Sequence, residues 1–249
     1  MMKRLTMIAV ALLMLGGAAS AQQSKSDESL EFRPHWSLKV QGGVAHTIGE
    51  ASFSELISPA AQLSASYNFH HAMAVRVGLS GWQGKGSAVI ADKIYRFHYA
   101  QLNADYVLDL ASLAGFKHDR IVSPYLFAGI GGAYGFNNKE AAPLNQPVEG
   151  SGFQGTLPYY WESLPLVAGR FGAGVDFWVT DGIALGLEAN GNFYSDRLNS
   201  KKAYVGMLAD WQINLLAGVT FRLGDNTRPS AVYAAAVAAA EAAAAEAAA

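Results

Sequence analysis

VAGRFGAGVDFWVTDGIALGLEANGNF, residues 167–193, decides the fold. Its first arm, Val167 to Phe177, sets Val167, Gly169, Phe171, Ala173, Val175 and Phe177 on one face, against Ala168, Arg170, Gly172, Gly174, Asp176 and Trp178 on the other. After Thr180, Asp181 and Gly182 the second arm, Ile183 to Phe193, alternates Ile183, Leu185, Leu187, Ala189, Gly191 and Phe193 with Glu188, Asn190 and Asn192. Period-2 alternation of aliphatic residues and charges describes a strand between two different solvents. About ten such residues, tilted, cross the apolar thickness of a bilayer.

The pattern recurs. A first strand is expected from Trp36 to Thr47, with Leu38, Val40, Gly42 and Val44 opposite Lys39 and Gln41. A second, Ala60 to Phe69, opposes Ala61, Leu63, Ala65, Tyr67 and Phe69 to Gln62, Ser64, Ser66 and Asn68. A third, Met73 to Trp82, sets Met73, Val75, Val77 and Leu79 against Arg76 and Ser80. The fourth, Ile94 to Leu108, sets Leu102, Ala104, Tyr106 and Leu108 against Gln101, Asn103 and Asp105. In the fifth, Ser123 to Tyr134, Gly129, Gly131 and Gly132 erase the contrast between faces. The hairpin supplies the sixth and seventh. The eighth, Met207 to Leu223, alternates Trp211, Ile213, Leu215, Ala217, Val219 and Phe221 with Asp210, Gln212, Asn214, Thr220 and Arg222. The expected fold is all-β: an eight-stranded antiparallel transmembrane up-and-down barrel over residues 36–224.

The first residues address the chain. Lys3 and Arg4 precede the apolar run Met7 to Leu15 and the small residues Ala19-Ser20-Ala21, the layout of a signal peptide (1–21) cleaved after Ala21. A lead, 22–35, follows. No other apolar run is long enough for a membrane helix. There is no cysteine, which in an exported chain excludes disulfides and thiolate-bound metals. A formal net charge of -2 gives no basic field for nucleic acid. The barrel therefore belongs in the outer membrane of a Gram-negative bacterium, with both termini periplasmic.

Connections fit that orientation. Longer outer loops fall at Gly49 to Ser58, Gln83 to Asp92, Gly135 to Ser163 and Ser195 to Ala203. Inner turns fall at His70 to Ala72, Asp109 to Ile121 and Thr180 to Gly182, of which the second is longer than the rule prescribes. Trp36, Tyr67, Phe69, Tyr125, Phe177 and Phe221 flank strands as interfacial girdles do. From 225 to 249 the chain turns Ala-rich. A helix is expected there, started by Thr227-Arg228-Pro229-Ser230.

Projected together, the inward positions hold Lys39, Arg76, Asp105, Arg170, Asp176, Glu188, Asp210 and Arg222. Facing lipid, each Arg or Lys at mid-bilayer would cost about 2–4 kcal/mol. Facing inward the charges neutralise one another and form a polar core; a narrow or gated porin-type ion path is the alternative. Catalysis would need a histidine beside a nucleophile and an acid. His46 and His98 lie near outer strand ends with Ser52, Ser54 and Ser87 in adjacent loops, but no spacing joins them, and the chain is read as no enzyme. His70-His71 lacks the further ligands of a metal site, and no cofactor is expected. Gly129-Ile130-Gly131-Gly132 and Gly172-Ala173-Gly174 stand outside any strand–helix unit, so they read as sites of barrel curvature and close packing.

SPYLFAGIGGAYGF (123–136), GRFGAGVDFWVTDGIALGLEANGNFYSDRLNSK (169–201) and INLLAGVTFRLG (213–224) resemble the N-terminal barrel of OmpA-type outer-membrane proteins, in the forms found in Bacteroides-like bacteria. The resemblance implies a structural or surface-exposed protein supporting the envelope, with outer-membrane lipids and lipopolysaccharide around it and the barrel-assembly machinery inserting it. A lipid A-modifying enzyme is the more distant reading. The family often adds a peptidoglycan-gripping domain, and residues 225–249 are expected to be an Ala-rich helical tail or a truncated form of the linker to one. Peptidoglycan is then a partner only where that domain is present. The ligand of the outer loops is unknown.

Overall fold

The computed structural model describes residues 30–49, 51–88, 93–145, 157, 160–195, 197–200 and 209–247. The expected signal peptide, residues 22–29 of the lead, residues 89–92 of the second outer loop, the middle of the third, residues 201–203 of the fourth and residues 207–208 of the expected eighth strand lie outside them. Eight strands form a closed barrel: β2 (His35–Thr47), β3 (Ile57–His70), β4 (Met73–Ala88), β5 (Lys93–Asp109), β6 (Val122–Phe136), β7 (Ser163–Trp178), β8 (Ile183–Ser195) and β9 (Ala209–Leu223). Each pairs antiparallel with its neighbour, and β2 closes on β9 from Trp36↔Leu223 to Thr47↔Gln212. Closure leaves no unpaired edge, which hydrocarbon would not tolerate.

The two wall faces have opposite character. Leu38, Val40, Val77, Leu79, Leu102, Ile130, Val167, Leu185, Leu187 and Leu215 face outward and are exposed, Ile130 by 71% and Val167 by 75%. Lys39, Gln41, Gln62, Arg76, Gln101, Asp105 and Glu188 face inward and are buried. Left in water, those ten aliphatic side chains would forgo on the order of 15–30 kcal/mol, more than a typical net stability of about 5–15 kcal/mol. The medium around the wall is therefore hydrocarbon, and the barrel spans a membrane. Among the described residues no helix is long and apolar enough to cross one.

Strand lengths depart from expectation where glycine hides the pattern. Gln83 to Ala88, read as loop, continues β4 and pairs with Lys93 to His98. The inward positions there are Gly84 and Gly86, with no side chain to show an alternation. A Cβ at either would collide with the ring of Phe97 or Tyr95. Tyr125 is also corrected. It faces the interior and is buried, not part of a girdle, because it shares the inward parity of Phe127 and Gly129 on β6. Trp36, Tyr67, Phe69, Phe177 and Phe221 do face outward and are exposed.

At the end where the chain enters and leaves, β1 (Leu30–Phe32) pairs antiparallel with β10 (Thr227–Pro229). Glu31 and Arg228 form an exposed ion pair at 2.7 Å, and the Arg33 N–H donates to Asn226 O at 2.8 Å. Phe32 packs against Phe116 in the long Asp109–Ile121 connection, ring centroids 5.6 Å apart. Thr227 to Pro229 are thus strand, not helix start. Pro229 sits at the end of β10 with no N–H to leave unpaired. Helix α1 (Ala231–Ala247) begins one residue after Ser230, whose Oγ accepts the Tyr233 N–H at 3.3 Å. The helix is exposed along its described side chains.

Two truncations separate clip from helix. Ending the chain after Ser230 should leave the urea midpoint in lipid unchanged. Ending it after Gly224 removes β10 and should cost about 1–2 kcal/mol, the net worth of a few exposed hydrogen bonds and ion pairs. Equal midpoints for both would show the clip contributes nothing.

Candidate functional site

The interior is stacked in layers. At mid-depth six of the eight inward charges meet. Lys39 Nζ on β2 reaches both carboxylate oxygens of Asp176 on β7, at 2.8 and 2.9 Å, and donates to Tyr125 Oη at 3.0 Å. Tyr125 Oη donates onward to Glu188 Oε2 at 2.9 Å. Arg76 on β4 bridges two carboxylates, Nε to Asp105 at 2.8 Å and Nη1 to Glu188 at 2.7 Å. Arg170 lies 3.4 Å from Asp105 and 3.5 Å from Glu188, and donates to Gln62 Oε1 at 3.0 Å. Three cations thus face three carboxylates. The Arg76 and Arg170 guanidinium groups also stand over the Phe127 ring, at 4.1 and 5.1 Å.

Gly129 makes part of this possible. The register runs Asp105↔Gly129↔Arg170, so β6 stands between the two charges. A Cβ at Gly129 would strike the Asp105 carboxylate and the Ala104 carbonyl. Gly172 and Gly174 make the same kind of room for the rings of Phe127 and Tyr125. Barrel curvature and close packing were the expected roles of these glycines; the contacts show the close packing, against interior side chains as well as backbone.

The other two charges stand apart. Asp210 accepts the backbone N–H groups of Leu198 and Asn199, at 2.7 and 3.3 Å, pinning the last loop at the loop end. Arg222 lies at the chain-terminal end, 4.0 Å over the Trp178 ring, and donates to Asp181 O. Above the charges runs a layer of amides: Gln62 to Gln41 at 3.0 Å, Asn190 to Glu188 at 3.1 Å, Asn192 to Asn190 at 2.9 Å and Asn214 to Asn190 at 3.0 Å. Tyr194 donates to Gln101 at 2.6 Å and Tyr99 to Gln212 at 2.7 Å, linking this layer to an aromatic one.

That aromatic layer closes the loop end. Tyr95, Phe97, Tyr99, Trp161, Leu157, Tyr194 and Leu198 are buried together. Trp161 Nε1 donates to Arg197 O at 2.9 Å, Tyr95 Oη donates to Asn199 O, and Asn138 Nδ2 donates to Trp161 O at 3.0 Å. Below the charges, a cavity of about 100 Å³ opens between Ser37, Lys39, Asn68, Asp109, Tyr125 and Trp178. Its size suits several ordered waters. Of this arrangement the inward charges and amides were readable from alternation. Tyr125, Phe127 and the aromatic layer were not, because aromatics at strand ends read equally well as girdle.

The histidines are not brought together. His46 faces outward on β2 and stacks on Phe53 at 4.1 Å, with no hydrogen-bond partner at either ring nitrogen. His98 faces outward on β5, with β3 and β4 between them, and pairs with Asn137 Nδ2 at 3.1 Å. Ser52 Oγ donates to Glu55 at 2.5 Å and Ser87 is buried. His71 Nδ1 lies 3.0 Å from Ser112 O, its pKa lowered first by desolvation. Among the described residues no group of three metal-ligating side chains converges.

No protein-family model matches the chain, and no curated protein matches it in sequence. Solved structures do share its architecture. Neisserial surface protein A is 14% identical, with a TM-score of 0.48, covering 76% of this chain and 97% of its own. The N-terminal β-barrel domain of Pseudomonas aeruginosa OprF is 12% identical at a TM-score of 0.40, covering 77% and 100%. The outer-membrane enzyme PagL is 15% identical at 0.40, covering 74% and 98%. The chain is similar to these in fold alone.

The cluster dictates a stability test. Arg76→Ala would strand Asp105 and Glu188 without their closest cation and should lower unfolding free energy by about 3–5 kcal/mol. Gly129→Ala should cost about 1–3 kcal/mol by overpacking. Urea titration of refolded protein in lipid vesicles reads both. An Arg76→Ala midpoint equal to wild type would show that the charges are solvated rather than mutually dependent.

Proposed function

We propose that this protein is a structural or surface-exposed component of a Gram-negative outer membrane, of OmpA type. Both chain ends lie on the periplasmic side, the β2–β3, β4–β5, β6–β7 and β8–β9 connections face the medium, lipopolysaccharide and phospholipid surround the wall, and the barrel-assembly machinery inserts it. The observation that carries this reading is the interior. Packed charges, amides and aromatic rings fill it from mid-depth to the loop end, so the wall and the loops are the surfaces left for interaction. Helix α1, exposed and Ala-rich, fits a periplasmic tether, and peptidoglycan would be reached through it only by a further domain.

The narrow-channel alternative has one observation in its favour, the cavity at the chain-terminal end, which Lys39, Arg76, Asp109 and Asp176 help to line. A conducting path would still have to cross the Arg76 and Arg170 pairs and then the aromatic layer. Liposomes carrying the purified barrel should therefore swell in isotonic small sugars no faster than protein-free vesicles. Swelling at rates typical of a porin would replace the structural reading with the channel one.

Orientation is tested separately. Cysteine at Ser54, exposed at the loop end, should react with an impermeant maleimide on intact cells. Cysteine at Asp181, in the β7–β8 turn, should react only after the outer membrane is opened. The reverse order would turn the barrel over.

A further inference from the structure

Lys85 and Arg96 are the only formally charged side chains at outward positions of the eight barrel strands, among the described residues. Their outward direction follows from their neighbours. Gly84 and Gly86 turn inward against the buried rings of Phe97 and Tyr95, so Lys85 and Arg96, in alternation with them, turn out. The two are also direct register partners across the β4–β5 ladder. Like charges directly opposite on neighbouring strands destabilise a sheet. Six other strands carry no charge on this face, so two cations brought together here call for an anion.

Their height says which kind. The outward face of β5 begins with Leu108 at the chain-terminal end and stays largely apolar through Tyr106, Ala104, Leu102 and Ala100. With a rise of about 3.3 Å per residue and a tilt of about 40°, the step from Tyr106 to Arg96 climbs about 25 Å, the full height of an apolar belt. The outward rings of Tyr134 and Phe136 pair in register with Ala100 and His98, two steps and one step below Arg96. The cations thus sit just above an aromatic rim, where lipid headgroups lie.

Local contacts hold the pair in place without cancelling it. Lys85 Nζ donates to a neutral acceptor, the Glu55 carbonyl, at 3.0 Å. Arg96 Nε pairs with Glu140 at 3.1 Å, yet its side chain remains 57% exposed. Lys139, also exposed, is next to Glu140 in the chain. The Glu55 carboxylate itself accepts from Ser52 Oγ.

We infer that Lys85 and Arg96 form a docking site for the phosphate group of an outer-leaflet lipid, on the outside of the β4–β5 wall. The inference rests on the proposed orientation, with the loop end toward the medium, and names a lipid partner for one side of the barrel. Each cation at a membrane surface contributes about fivefold to anionic-lipid binding, so the pair contributes about 25-fold.

The test uses the full chain folded in detergent, titrated with lipid A and with dephosphorylated lipid A and followed by native mass spectrometry. Wild type should prefer the phosphorylated lipid by about 25-fold. The Lys85→Gln/Arg96→Gln double variant should lose that preference, whereas Arg33→Gln/Arg228→Gln, at the opposite end, should keep it. Heat-modifiable gel migration confirms that each variant is folded; if the double variant is not, Lys85→Gln alone should reduce the preference about fivefold. Preference retained by the double variant overturns the proposal, and so does full competition by an equal concentration of inorganic phosphate, which would mark a free-anion site. Because detergent binding does not depend on orientation in the membrane, these outcomes are read independently of the labelling that tests topology.

Discussion

Closure of β2 on β9 is the interaction on which the rest depends. In hydrocarbon an unpaired backbone N–H or C=O has no water to turn to, and each one costs several kcal/mol. Antiparallel pairing from Trp36↔Leu223 to Thr47↔Gln212 removes both edges at once. It also fixes which residues share the interior. Only in a closed ring of this register do Lys39 of β2 and Asp176 of β7 come within 2.8 Å, although 137 positions separate them.

The interior charges follow from that enclosure. Buried ion pairs give little net stability against apolar replacements, but removing one partner is severe. The cluster responds by sharing: Arg76 serves Asp105 and Glu188, and Glu188 takes Arg76, Arg170, Tyr125 and Asn190. Each carboxylate is met by a cation, and amides and phenols satisfy many of the remaining positions. The same packing that satisfies these groups fills the lumen from mid-depth to the loop end, and this is the physical link between the fold and the proposed structural role.

Alternation carried most of the architecture, because a wall between lipid and a polar core forces a contrast at every second residue. The hairpin at 167–193 shows it plainly, and Arg170, Asp176 and Glu188 were readable as inward from that alone. The contrast fails where glycine occupies the inward row. Gly84 and Gly86 hid six residues of β4, and Gly129 and Gly131 hid the faces of β6, so Tyr125 was placed on the wrong side. The β1–β10 clip was invisible for another reason. Three-residue strands have no periodicity, and Pro229 beside Ser230 is as good a helix start as a strand end. Which side chains meet in the core depends on shear between distant strands, and no local pattern contains it.

The central claim is that lipid surrounds the wall and polar groups fill it. Single fluorophores placed along β2, β4, β5 and β8, in protein reconstituted with lipids carrying a bromine quencher on their acyl chains, test this most directly. Labels at Val40, Leu79, Leu102 and Leu187 should be quenched strongly, and labels at Gln41, Ser80, Asn103 and Glu188 weakly, in strict alternation. Uniform quenching along a strand, or the opposite phase, would contradict the account.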